Sequence, residues 1–283
     1  MTTPSVFVPR TPVPPPPPAP PRYTLLGAIS QGTTDREGHW QRGVEYYSTS
    51  CNRSTGYVDG WCPPVDDDGN PTDWDKPVEA FNPSRVEGVP FTITSGVECH
   101  SPVFAAQTEA EAALARGEDL QVEQRFWAHQ MQRPDLVEIQ PGVAVGLDEA
   151  IGYLEEEAAV RYTGQIYIHV PIRAVSLLGA LRLVSPDRNV LRTTYGSVVV
   201  PGAGYKDQTG PGGKAKPASG WWFLATGQPV YRRSEVFAHE AFEPRSNRRG
   251  SIAERTYVIT GDCVALAIQA APCVCTPTPP PTP

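Results

Sequence analysis

The run SIAERTYVITGDCVALAI, residues 251 to 268, carries hydrophobic positions at Tyr257, Val258, Ile259, Val264, Leu266 and Ile268. From Arg255 this is the pattern of one long core β-strand around a break at Gly261. It stands almost at the end of the chain, just before a proline tail. Upstream, YTLLGAIS and VEYYSTS each read as a strand, and PFTITSGVEC alternates from Phe91. Between the last two lies CPPVDDDGNPTDWDKPVEAFNPSRVEG, which has no period of its own and predicts an outward excursion.

The longest helical pattern opens at Thr108, in TEAEAALARGEDLQVEQRFWAHQMQR. Thr108 with Glu111 three residues on fits a capping box, acidic residues crowd the first turns, and Pro134 stops the run. Ala110, Ala113, Leu114, Gly117, Leu120, Trp127 and Met131 form its apolar stripe, with Gly117 as the weak point. At 1.5 Å per residue such a helix is about 37 Å long. A second helix, GLDEAIGYLEEEAAVRY, places Leu147, Ala150, Ile151, Leu154 and Ala158 on one face. GQIYIHVP then reads as a buried strand and IRAVSLLGALRLV as a short apolar helix. VLRTTYGSVVVPGAGY and WWFLATGQPVYRRSEV read as strands on either side of a loop, DQTGPGGKAKPASG. Mixed α+β is the class this order predicts.

Composition shortens the foldable part. Of 283 residues 32 are proline, many at the two ends, so residues 1–22 predict an extended polyproline arm and the end of the chain a similar tail. A formal charge of −7 argues against a dedicated nucleic-acid binder, which needs a basic face. No apolar run is long enough to span a membrane, and the N-terminus lacks the apolar core of an export signal.

Candidate chemistry is sparse. The six cysteines, at 51, 62, 99, 263, 273 and 275, include no CxxC pair, so zinc-ribbon spacing is missing. Reduced, buried thiols are the ordinary expectation, with Cys263 a core thiol. The candidate disulfide residues are Cys51 with Cys62, which bracket a Gly/Trp loop, and Cys273 and Cys275 in the tail. GPGGKA fails as a phosphate loop, because Gln208 and Ala215 stand where Gly and a hydroxyl are needed. DDDGNPTDWDK spaces its carboxylates as a calcium loop does, but Pro71 and Pro77 replace the Gly and the closing Glu. His39, His100, His129, His169 and His239 are scattered, with no nucleophile beside any of them; His169, inside a strand, reads as a structurally satisfied side chain. No catalytic residue, cofactor or metal site is assigned. Arg245, Arg248 and Arg249 form the densest positive cluster, a solvated turn or a contact to a neighbouring subunit or to phosphate.

The order of arm, outward loop, long helix, α/β section and closing β segment resembles the HK97-type capsid proteins, the family of tailed-phage shells and encapsulins. The phrases FTITSGVEC, GEDLQVEQRFW, LATGQPVYRRSEV and AERTYVITGDCVALAI are similar to structural proteins of actinobacterial phages. The resemblance covers roughly residues 23–270. It implies an HK97-like capsid fold with a long spine helix, an α/β axial section, a β-rich peripheral section and an extended N-terminal arm. The implied boundaries are an arm at 1–22, strands and extended loop at 23–107, the helix at 108–139, the axial section at 140–220, the β-rich section at 221–271 and a tail at 272–283.

The implied function is that of a non-enzymatic capsid subunit, assembled in the bacterial cytoplasm into a virion shell around double-stranded DNA. Its partners would be copies of itself in hexamers and pentamers, with decoration proteins and a portal, and DNA held only non-specifically. The alternatives are another virion component, such as a decoration, head–tail or tail protein, or a disulfide-stapled surface module. On the capsid reading the late strand returns to pair with strands laid down near residue 90 and to cover the long helix.

Overall fold

The computed structural model describes residues 21–52, 66–68, 83–99, 105–246 and 248–272. The chain enters with a single helical turn, α1 (Leu25–Ala28), and a two-residue strand, β1 (Ser30–Gln31). YTLLGAIS is therefore not one strand: the Thr24 hydroxyl accepts the Gly27 N–H at 3.1 Å and caps a helical turn there. β2 (Val44–Ser48) pairs antiparallel with β3 (Ser84–Gly88), and β4 follows at Pro90–Cys99. Most of the excursion between β2 and β3 lies outside the described residues.

The long helix, α2, spans Ala106–Met131. It begins upstream of the predicted cap, with Ala105 at the N-cap and Thr108 already inside the helix. Packing explains the shift. Ala106, Ala110 and Leu114 are all buried and lie four residues apart on one face, so the buried stripe carries the helix past the local capping signal.

The second half of the chain alternates. β5 (Val137–Gly146), α3 (Leu147–Arg161), β6 (Tyr167–Pro171) and α4 (Ile172–Ala180) come first, then β7 (Val184–Asp187), β8 (Val190–Thr193) and β9 (Val198–Gly202). β10 (Trp221–Thr226), β11 (Val230–Arg233), β12 (Phe237–Glu243), β13 (Arg248–Thr260) and β14 (Ala265–Ala271) complete it. Seven strands form one mixed sheet in the order β5-β14-β10-β6-β9-β8-β7. A second sheet runs β1-β11-β13-β12, with β4 also paired to β13.

Strand alternation decides which layer each residue joins. In β6, Ile168 and Val170 belong to a core with Ile151, Leu154 and Ala158 of α3, whereas Tyr167 faces a second core with Phe126 and Trp127 of α2. The seven-stranded sheet is thus covered by α3 and α4 on one face and by α2 on the other. α2 also packs on β4 and β13 of the second sheet, where Ile93, Ala253 and Tyr257 join the same core. The helix bridges both sheets.

SIAERTYVITGDCVALAI divides here. β13 pairs along its length with β4, from Val258 opposite Pro90 to Arg249 opposite Cys99, so the chain does come back to strands laid down near residue 90. Residues 261–264 then carry it across, and β14 enters the interior of the seven-stranded sheet between β5 and β10.

Candidate functional site

The groups that bind α2 to its surroundings are polar and buried, which is unusual enough to need a partner for each. Glu118 receives Arg255 of β13, whose Nη1 lies 2.9 and 3.1 Å from its two carboxylate oxygens. Five residues on, Glu123 accepts the Gly204 N–H at 2.9 Å and approaches the Leu25 N–H at 3.5 Å. Burial is the main influence on this carboxyl, and it pushes the pKa up to about 7 despite the backbone donors. Trp127 donates its indole N–H to the Thr209 carbonyl at 2.9 Å. Side chains from different sides of the helix therefore hold the second sheet through Arg255, the chain entry through Leu25 and the loop after β9 through Gly204 and Thr209. Gly204 has to be small here, because a Cβ would meet the Glu123 Cβ at 2.5 Å and the Leu120 carbonyl oxygen at 2.8 Å.

His169 lies beneath the same helix, fully buried against Phe126 and Tyr205. Its Nδ1 is 3.2 Å from the Tyr205 hydroxyl and its Nε2 is 3.0 Å from the Thr226 hydroxyl. Desolvation lowers its pKa to about 3, so it is a neutral imidazole satisfied on both nitrogens. This is the structural role its strand context predicts. His239 sits on β12 opposite Ile252, with its neighbour Glu240 opposite Ser251 on the other face.

The cysteines correct the sequence reading. Cys51, just past β2, is bonded to Cys263 in the 261–264 crossing, with Cα atoms 6.1 Å apart and a sequence separation of 212. Cys263 is therefore no free core thiol, and Cys51 is not joined to Cys62, which lies outside the described residues together with Cys273 and Cys275. The reason is tertiary. The end of β2 packs beside the crossing, where the Ser48 hydroxyl is also 3.4 Å from the Cys263 sulfur, whereas spacing along the sequence ranks only near neighbours. Arg133 reinforces the same place, donating to the Asp262 carbonyl at 2.8 Å and to Asp135 at 2.6 and 2.9 Å. Tyr162 adds a hydrogen bond to the Asp262 carboxylate at 3.0 Å.

The basic cluster lies on the β12–β13 hairpin. Arg248 pairs with Glu98 of β4 and Arg249 with Glu240 of β12, the latter at 2.8 Å, while Arg245 is exposed in the turn. On the outer face of this sheet, Phe237 and Ile252 are diagonal neighbours across β12 and β13, each more than half exposed. Ile172 and Leu181, at the start and just past the end of α4, and Tyr195, between β8 and β9, are exposed apolar positions as well. Among the described residues no group of three His, Cys, Asp or Glu side chains is placed to hold a metal ion, and no helix is long and apolar enough to cross a membrane. Most of the loop at 66–77 lies outside them.

No family model matches the sequence, and no curated protein does. Solved structures do match its backbone. The capsid of a native GTA particle superposes with a TM-score of 0.56 at 10% identity, over 94% of this chain and 95% of that one. The capsid of Ralstonia phage GP4 gives 0.54 at 11% identity, over 99% and 100%. The fold is that of the HK97-type capsid proteins. A chain of Microbacterium phage Oxtober96 matches as well, with a TM-score of 0.51 at 11% identity over 94% of this chain and 96% of that one. These matches run over both sheets and the long helix, since they cover 94–99% of this chain.

Proposed function

We propose that this chain is a structural, non-enzymatic subunit of an icosahedral phage-type capsid, which assembles with copies of itself as hexamers and pentamers around double-stranded DNA. The observation that carries the reading is the end-to-end match to a capsid chain, 99% of this chain against 100% of that one. Its surface supports the same reading. Exposed apolar side chains include Phe237 and Ile252 on β12 and β13, Ile172 and Leu181 at either end of α4, and Tyr47, Val143 and Val160 on other elements. A subunit that contacts several neighbours needs more than one such patch. In this reading α2 is the spine helix, residues 140–220 form the axial section, and the excursion between β2 and β3 reaches a neighbouring subunit. Arg245 is then the member of the basic cluster that meets an acidic neighbour or phosphate. The virion shell is the place of action.

The test is assembly. Purified recombinant protein, examined by negative-stain electron microscopy and light scattering, is expected to form closed particles or capsomer rings. A protein that remains monomeric in every condition, and is absent from the purified particles of its source, overturns the proposal.

A further inference from the structure

The Cys51–Cys263 bridge joins two segments that other contacts already hold in place. On one side, the Ser50 carbonyl accepts the Thr163 N–H at 3.0 Å and the Thr163 hydroxyl at 3.2 Å, just past the antiparallel pair of β2 and β3. On the other, the Cys263 N–H donates to Asp262 Oδ1 at 2.8 Å, while Arg133 and Tyr162 hold the Asp262 carbonyl and carboxylate. None of these bonds uses sulfur, so neither segment depends on the covalent link for its place.

The bridge is also within reach of small molecules. A cleft of about 210 Å³, below the size of an ordinary ligand pocket, ends on the two cysteines, with Val137 and Leu266 among its apolar walls. Its charged lining residues are Asp135 and Arg161. Each is paired, Asp135 with Arg133 at 2.6 Å and Arg161 with Glu157 at 2.9 Å, so shape rather than charge governs entry. Cys51 is partly exposed, whereas Cys263 is 8% exposed. Ser48 is buried beside them. Its oxygen accepts the Ser50 N–H at 3.3 Å, which directs the hydroxyl proton to Cys263 Sγ at 3.4 Å.

We propose that Cys51 is a thiol–disulfide exchange site in the folded subunit, at which low-molecular-weight disulfides close the bridge and the matching thiols open it. In closing, the Cys51 thiolate attacks one sulfur of a small disulfide RSSR and expels RS⁻, leaving a mixed disulfide, Cys51–S–SR. The Cys263 thiolate then attacks the Cys51 sulfur and expels the second RS⁻, and the two thiol protons end on the two RSH released. Opening is the reverse: RS⁻ attacks Cys51, the Cys263 sulfur leaves as a thiolate, and a second RS⁻ takes off the first as RSSR. The Ser48 hydroxyl donates to that thiolate and makes it the better leaving group. Exchange at Cys51 is a property of one subunit and does not rest on the shell reading.

The test uses the full chain, reduced with a phosphine at neutral pH, checked for folding by circular dichroism, and then given oxidised glutathione as the probe. Samples quenched with iodoacetamide at intervals are digested with trypsin and mapped by mass spectrometry. The expected record is a glutathione adduct on the peptide 43–53 that rises first and falls as that peptide becomes linked to Cys263. An adduct on Cys263 ahead of Cys51, a bridge that re-forms only after unfolding in urea, or a reduced chain that is unfolded overturns the proposal. In Cys263→Ser the adduct on Cys51 is expected to persist, whereas in Cys51→Ser modification of Cys263 is expected to be about tenfold slower; equal rates overturn the order of attack. Ser48→Ala is expected to slow opening by reduced glutathione about fivefold. A hydroxyl that only packs would leave that rate unchanged or, once removed, raise it, and either result overturns the role given to Ser48.

Discussion

Glu118 of α2 and Arg255 of β13, 137 residues apart, form a two-oxygen ion pair at 2.9 and 3.1 Å between the long helix and the closing strand. Their side chains are 11% and 17% exposed, so removing one partner leaves a charge in a poorly solvated place. Arg255→Ala is expected to cost about 3 kcal/mol of unfolding free energy. The double variant Glu118→Leu, Arg255→Leu is expected to recover part of that loss, since it leaves no orphaned charge. Urea denaturation of the isolated subunit measures both. A single variant as stable as the parent would mean that the pair contributes nothing.

Two buried groups oppose each other in their response to pH. The Glu123 carboxyl is raised to about 7 from an ordinary value of 4.5. The folded state therefore binds the extra proton between those values, and this contribution is present below pH 4.5 and lost as the pH rises to 7. His169 is lowered to about 3 from 6.5. Its contribution is present above pH 6.5 and lost as the pH falls through that window. Between pH 4.5 and 6.5 the slopes have opposite sign and partly cancel. Glu123→Gln keeps an acceptor for the Gly204 N–H and removes one of the two. Its stability is expected to fall on acidification across this window more steeply than the parent's, and to exceed the parent's at pH 8 by about 2 kcal/mol. Unfolding curves at four or five pH values decide it; parallel profiles would refute the assignment.

The Cys51–Cys263 bridge joins positions with a sequence separation of 212. Cross-linking so long a segment restricts the unfolded chain, so reduction is expected to lower stability by about 2–5 kcal/mol. Cys51→Ser is expected to abolish the sensitivity to reductant without unfolding the protein, because the hydroxyl is close to the thiol in size. Peptide mapping under non-reducing conditions should recover the two cysteines in one linked fragment. A fragment linking Cys51 to Cys62 would contradict the structure.

Gly117 stands in the middle of α2, and a Cβ added there meets nothing within 4 Å. Gly117→Ala is expected to stabilise the subunit by about 0.5–1 kcal/mol, because alanine restricts the unfolded chain and suits the helix. Thermal denaturation of the isolated subunit reads the gain. A loss would mean that the free subunit bends at this position.

The strands and helices were legible where burial follows hydrophobicity, and illegible where it does not. The stripe from Ala110 to Met131 located α2, but it included Leu120, which is exposed, and passed over Glu118, Glu123 and Gln130, which are buried. Gln130 is satisfied by Arg133, three residues on, but Glu118 and Glu123 are satisfied by Arg255 and Gly204, partners that no local pattern can show. β5 was missed, β3 was read into the outward excursion, and β12 was placed only within the β-rich section at 221–271. β5 contains Pro141 and Gly142 and makes a register shift against β14 after Ile268, which breaks its alternation, while β12 is exposed at nearly every position and has no apolar face to detect. His169 was read correctly because a strand interior leaves a histidine little else to do. The pairing of Cys51 was not legible, since connectivity depends on where β2 ends in space.

The crossing at 261–264 has a mechanical consequence. Four residues span at most ~14 Å, and this link is clamped by Arg133, by Tyr162 and by a covalent bond to Cys51. A second connection, α2, lies across both sheets alongside it. Two links between the same two plates resist a swing of one against the other, so a load on the outer face near Ile252 passes through α2 and this short link into the seven-stranded sheet.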